Sequence, residues 1–161
     1  MSALAEIREA PGLDAYLAEL EDRLEHAVGS YRGVVADAGG EALAAGGKRL
    51  RPLLVYLAAP PGAEPPVVSG VAVELVHLAT LMHDDLIDGA KLRRGRASAW
   101  SAHGPQVARA AGDYLFARAF SELSATGDAR AVAVLANATL CLARGEAMQR
   151  RQRFDPDTTD R

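Results

Sequence analysis

The sequence predicts an all-α helical bundle. Three observations carry that reading: apolar residues recur every three to four positions, clusters of glycine and proline cut the chain into helix-length pieces, and no segment reads as a convincing strand. In the first piece Leu13, Leu17, Leu20, Leu24 and Val28 form one stripe, with Asp14, Glu19, Glu21 and Asp22 between them; Gly29 and Gly33 weaken its continuation. Gly39-Gly40 and Gly46-Gly47 bracket a short helical turn over 41–45. Residues 53–59 continue helically until the run Pro60-Pro61-Gly62-Ala63-Glu64-Pro65-Pro66 breaks the helix. An apolar helix spans 67 to about 88 and ends at Gly89. Two more helices, 106 to about 126 and 129 to about 153, flank Gly127-Asp128; Val107, Ala111, Tyr114 and Leu115 give the first a core stripe.

Composition bounds the function classes. The 161 residues fit one domain, and 49% hydrophobic residues with a net charge of −3 argue against a nucleic-acid binder or a disordered chain. The single Cys141 can form no internal disulfide, which fits a reducing compartment and a small core residue. The N-terminus lacks a basic start followed by an apolar core, and no run reaches the 18 or more apolar residues that a transmembrane helix needs. The expected location is cytoplasmic.

The chemistry concentrates in two clusters. His83-Asp84-Asp85-Leu86-Ile87-Asp88 ends the apolar helix, and Leu92-Arg93-Arg94-Gly95 follows closely. Helical periodicity puts Asp84 and Asp88 one turn apart on one face, where like charges cost about 0.2–0.5 kcal/mol. Hard carboxylate oxygens suit Mg²⁺, which binds through one or two carboxylates plus substrate phosphates. The arginines suit the phosphate, through bidentate charge-assisted hydrogen bonds. Upstream, Gly46-Gly47-Lys48-Arg49-Leu50-Arg51-Pro52 offers two glycines for close backbone approach and a helix start whose N–H groups favour an anion. It lacks the spacing and the Ser/Thr of a nucleotide P-loop. At about 100° per residue, His77 joins Asp84 and Asp88 in one stripe, spread along roughly 16 Å. Together the clusters read as a metal-bridged diphosphate site.

The series GGKRLRP, VELVHLATLMHDDLID, LRRG and Gly112-Asp113-Tyr114-Leu115-Phe116-Ala117 resembles the trans-isoprenyl diphosphate synthases, or polyprenyl synthetases, in order and spacing over about residues 40–150. The resemblance implies the N-terminal half of the isoprenoid synthase fold, an all-helical bundle around a central cavity. It implies Mg²⁺-dependent condensation of an allylic prenyl diphosphate with isopentenyl diphosphate, releasing diphosphate. The carried-over roles are Asp84, Asp85 and Asp88 as the catalytic aspartate-rich motif, with Asp84 and Asp88 as metal ligands. Arg93 matches the allylic diphosphate contact, and Arg94, Lys48, Arg51 and His77 match the isopentenyl diphosphate contacts. Bulk just before the motif sets product length in that family, so the small Ala79 and Thr80 imply a geranylgeranyl or longer product that Ala79→Phe would shorten.

Departures from the family pattern shape the remaining expectations. The family's catalytic unit is about twice as long, and its missing half carries a second aspartate-rich motif and further lysines. Asp155, Asp157 and Asp160 sit in a proline-broken polar tail and read as solvated rather than as a replacement. After LRRG the chain reads Arg96-Ala97-Ser98-Ala99-Trp100 where the family usually has Pro-Thr and then a His. The chain is thus expected to be a single helical domain over 1–161, truncated relative to the family, forming a homo-oligomer or pairing with a complementary subunit. Glu146 and Gln149 share a helix face that could look into the cavity. Two other readings compete: a truncated or small subunit without activity of its own, and an all-helical metal phosphohydrolase using His77 and the pair His83-Asp84.

Overall fold

The computed structural model describes residues 10–152, and over that span the chain is a helical bundle. Its helices are α1 (Leu13–Gly29), α2 (Val34–Ala44), α3 (Leu50–Leu57), α4 (Val67–Asp88), α5 (Ala99–His103), α6 (Pro105–Ser124) and α7 (Ala129–Arg151). Between α4 and α5 lie two strands of two residues each, β1 (Leu92–Arg93) and β2 (Arg96–Ala97). The aspartate-rich tail around Asp155, Asp157 and Asp160 and the expected helix end at 153 lie outside the described residues.

α4 is the centre of the bundle and packs most extensively against α6, then against α3 and α1. Its interior face presents Val71, Leu75, Leu78, Ala79 and Met82, while α1 supplies Leu20 and Leu24 and α6 supplies Ala111 and Leu115. Each fully buried leucine in such a core stabilises by about 1.5–3 kcal/mol relative to exposure. Close approach is bought by one glycine in particular. A Cβ on Gly70 would sit 2.1 Å from the Tyr16 hydroxyl oxygen, and that hydroxyl donates to the Pro52 carbonyl at 2.9 Å. One tyrosine thereby ties α1, α3 and α4 together.

Several elements differ from the sequence reading. α2 is a full helix over Val34–Ala44 that runs through Gly39-Gly40 instead of a turn over 41–45. The reason is packing: a Cβ at Gly39 would stand 3.0 Å from Val28 Cγ1, so the glycine lets α2 close on α1. α3 begins at Leu50, earlier than the predicted 53, with Pro52 inside the first turn, where its missing N–H costs nothing. The hairpin β1–β2 was not expected. Its two-residue loop is Arg94-Gly95, both at positive φ, which is the backbone a tight primed turn requires. The Trp100 indole N–H donates to the Ala90 carbonyl at 2.9 Å and closes the segment behind it.

α7 departs most from a finished domain. Asp128 caps it by accepting from the Arg130 and Ala131 N–H groups at 3.0 Å, yet Leu135 is its only buried residue. Val134, Leu140, Leu142 and Met148 are exposed, and Cys141 is exposed rather than in the core as expected. α4 and α7 are also both long and apolar enough to cross a membrane, which corrects the expectation that no such run exists. α4 meets that criterion as the interior helix of the bundle. α7 meets it with several apolar side chains left exposed.

Candidate functional site

The last turns of α4, the loop before α3 and the β1–β2 hairpin meet along one side of the bundle. Gly47, Lys48, Arg49, Leu50, Arg51, Glu74, His77 and Arg94 line a pocket of about 430 Å³. Four of the five predicted diphosphate-binding side chains, Lys48, Arg51, His77 and Arg94, are therefore brought together. The fifth, Arg93, points elsewhere: its Nε donates to both Asp85 oxygens at 3.0 and 3.1 Å, and a second guanidinium nitrogen also contacts Oδ1.

Asp84 opens onto a neighbouring cavity of about 610 Å³. Its walls are mostly apolar, with Val73, Val76, Thr80, Phe116, Leu135 and Leu142 among them, and Glu146 of α7 faces the same space. Asp88 lies one helical turn beyond Asp84 and is exposed. Arg51 and His77 border both this cavity and the basic pocket, so the two spaces are contiguous. Gln149, which shares a helix face with Glu146, is exposed.

The electrostatics follow from this crowding. Burial, then Glu146 and Asp88, push the Asp84 carboxyl above its ordinary range, with Arg93 acting in the opposite direction. His77 is pushed down from 6.5 to about 4, first by burial and then by Arg51, Arg94, Arg49 and Arg93. It is neutral at pH 7 and can donate one N–H without adding charge. The site thus holds an uncompensated carboxylate pair beside a surplus of guanidinium groups. A divalent cation on one side and a diphosphate on the other would neutralise both.

Three predicted features are revised. Asp85, expected as one of the three catalytic aspartates, is 4% exposed and paired with Arg93, so in this arrangement its carboxylate is not open beside Asp84. Ala79 is fully buried in the core and does not border the cavity, because it lies about 140° around α4 from Asp84; Thr80 and Val76 form the wall instead. His83 is occupied by α6, its Nε2 lying 3.2 Å from Asp113 Oδ1 and 3.4 Å from the Arg109 carbonyl oxygen. Among the described residues no three His, Cys, Asp or Glu side chains converge as a metal cage.

Sequence reasoning passed over Arg49. It adopts a left-handed backbone at φ 48°, is buried, and donates to Glu21 at 2.6 and 3.0 Å and to Glu74 at 3.0 Å. The one available signal was Glu74, a carboxylate within an otherwise apolar helix, which requires a buried cation. Arg94 has the same backbone at φ 52°, so among the described residues both non-glycine residues in this conformation border the basic pocket. Such conformations cost about 1–3 kcal/mol each and cluster at functional sites.

Comparison with known proteins agrees with this architecture. Residues 34–161 match the polyprenyl synthetase family. The chain is 43% identical to heptaprenyl diphosphate synthase component 2 of Geobacillus stearothermophilus over 86% of its own length and 44% of that relative. It superposes on a decaprenyl diphosphate synthase from Rhodobacter capsulatus with a TM-score of 0.88 at 35% identity, covering 94% of this chain and 48% of the other. It also matches a polyprenyl synthase from Caulobacter crescentus, solved with calcium and isoprenyl diphosphate, with a TM-score of 0.85 at 33% identity and coverages of 91% and 46%. The chain thus spans less than half the length of these relatives. With its helical order, its aspartate-bearing α4 and its adjoining basic pocket, the chain belongs to the polyprenyl synthetase family.

Proposed function

We propose that this chain supplies the diphosphate-binding part of a polyprenyl diphosphate synthase, which condenses an allylic prenyl diphosphate with isopentenyl diphosphate and releases diphosphate. The observation that carries the reading is contiguity: Arg51 and His77 border both the basic pocket and the carboxylate-bearing cavity, so two diphosphates can lie side by side. Lys48, Arg51 and Arg94 would hold the isopentenyl diphosphate, with neutral His77 donating to it. Asp84 and Asp88 suit Mg²⁺: both are oxygen ligands, and burial and mutual repulsion leave Asp84 in need of a cation. Mg²⁺ at that position would offset the charge that develops on the departing diphosphate. Arg93, released from Asp85, would reach the allylic diphosphate. The apolar wall from Thr80 to Val73, with Phe116, Leu135 and Leu142, would take the prenyl chain and keep water from the reacting carbons. With Thr80 small, growth past α4 is open and the product is long, geranylgeranyl or beyond.

The uncovered face of α7 supports a further part of this reading. Leu142 lines the cavity, and Val134, Leu140 and Met148 leave further apolar surface of the same helix exposed; large exposed apolar surfaces are interfaces or aggregation liabilities. The active unit therefore includes a complementary C-terminal portion or subunit, in a homo-oligomer or a mixed complex, working in the cytoplasm. Titration calorimetry on the chain tests the binding reading. Isopentenyl diphosphate should bind with or without Mg²⁺, an allylic diphosphate only with it, and Asp84→Ala should erase the second and spare the first. Product analysis tests the rest: no prenyl product from the chain alone, and product once the C-terminal half of a relative is supplied. Absence of any Mg²⁺ effect in the parent chain would overturn the assignment.

A further inference from the structure

His83 sits one residue before Asp84, and its ring is gripped from α6 in an unusually close way. A Cβ added to Gly112 would stand 2.4 Å from His83 Nε2, 2.6 Å from Cδ2 and 3.1 Å from Cε1, so the imidazole lies directly against the glycine backbone. Only glycine leaves that space. Nε2 lies 3.2 Å from Asp113 Oδ1 and 3.4 Å from the Arg109 carbonyl oxygen, one residue after and three before Gly112 on the same helix. The ring also stacks on Phe116, with centroids 5.7 Å apart and planes 26° apart, and Phe116 is part of the cavity wall onto which Asp84 opens. Glycine, carboxylate, carbonyl and phenyl ring, all within two turns of α6, form a seat for one side chain.

The position of that seat gives it a consequence for the metal face. Successive residues of a helix turn by about 100°, so His83 and Asp85 lie on opposite sides of Asp84. Asp85 is held by Arg93 from the hairpin, and His83 is held by α6. Two lateral holds on the residues flanking Asp84 fix how far α4 can rotate about its axis, and α4 ends soon after at Asp88, capped by Gly89. We propose that His83, seated on Gly112 and held by Asp113 and the Arg109 carbonyl, is a positioning residue that sets the rotation of the last turns of α4 so that Asp84 faces the cavity, with Asp88 one turn beyond it. This rests on the functional reading above and assigns work to the motif Gly112-Asp113, which that reading leaves unused. His83 also borders the cavity, but in this role it acts through Asp84.

Asp113 is well exposed, so replacing it tests the seat without disturbing the core. The variants are Asp113→Ala, Asp113→Asn, which keeps an oxygen toward Nε2, and His83→Ala. The probe is inorganic diphosphate, titrated with and without Mg²⁺, beside amide hydrogen exchange across α4. Asp113→Ala and His83→Ala should weaken the Mg²⁺-dependent part of binding by about tenfold, the lower end of what losing a ligand's supporting partner costs. Asp113→Asn should restore it, and metal-free binding should stay unchanged in all three. Amides of residues 84–88 should exchange faster in the two alanine variants, with those of the first turns of α4 unmoved. Equal Mg²⁺-dependent binding in all variants overturns the proposal, as does a loss spread evenly over metal-free binding and the whole of α4. If the parent chain shows no Mg²⁺-dependent binding, the functional reading fails, and the exchange rates alone then decide whether the seat orders 84–88.

Discussion

Replacing Asp84 by Asn should stabilise the chain without metal and destabilise it, relative to the parent, once Mg²⁺ and diphosphate are present. Asp84 is partly buried, repelled by Asp88 and Glu146, and its carboxyl is raised above the ordinary range. A carboxyl raised in the folded state favours folding while protonated, and that contribution is lost as pH rises through its folded value. At pH 7 the ionised Asp84 is therefore a net cost. The i, i+4 repulsion alone is worth about 0.2–0.5 kcal/mol. For a chain of 161 residues, 1 kcal/mol moves Tm by about 2–4 °C, so the metal-free gain should be about 0.4–2 °C. The parent, saturated at a hundredfold excess over Kd, gains about 2.7 kcal/mol, or about 5–11 °C. The Asn variant should lose most of that increment, so the two melting curves exchange order between the conditions. Thermal unfolding by circular dichroism with EDTA and with Mg²⁺ plus diphosphate reads both arms. An Asn variant that melts below the parent without metal, or that keeps the full Mg²⁺ increment, would refute the reasoning.

The other predictions concern the surroundings of the same site. Arg49→Ala leaves Glu74 buried without its cation and should cost about 3–5 kcal/mol by urea denaturation; a loss under 1 kcal/mol would show that the pair holds nothing. His77 carries a folded value of about 4 against 6.5 unfolded, so the unfolded chain takes up its proton first and stability should fall as pH drops from 6.5 to 4. His77→Gln should flatten that slope in denaturation midpoints measured across the window. In an enzyme completed with a C-terminal half, Thr80→Phe should shorten the product by filling the cavity. Ala79→Phe should instead overpack the core, costing about 1–3 kcal/mol without a selective change in product length.

Helix positions were legible wherever the apolar period was strong, as in α1 and α4, because burial on one face leaves a repeat that a reader can count. α2 was not legible past its glycines, since what favours helix there is contact with Val28, a partner remote in sequence. The hairpin was hidden for a related reason: Arg-Gly is a poor turn signal compared with Asn-Gly, and only the pairing of Leu92 with Ala97 reveals it. Within the site, the stripe of His77, Asp84 and Asp88 followed from helical geometry, and the structure turns His77 and Asp84 toward one space. Roles that depend on which neighbour arrives first did not follow. Asp85 and Arg93 are both motif residues, and nothing local to either predicts that they satisfy each other. Ala79 and Thr80 are adjacent and both small, yet one faces the core and the other the cavity.

The left-handed backbones at Arg49 and Arg94 have a consequence for anyone evolving this chain in the laboratory. A selection for heat tolerance alone rewards residues that adopt positive φ readily, and glycine or asparagine at 94 would do so. Such a library should drift toward those residues there, since Arg94 is exposed and donates to no carboxylate among the described residues, and the drift would erase the proposed phosphate donor while improving every thermal score. The same pressure at position 49 meets resistance, because losing that guanidinium strands Glu74 in the interior. Two residues with the same backbone conformation would therefore part company under one selection, and sequencing the survivors would show which arginine is kept for folding and which for binding.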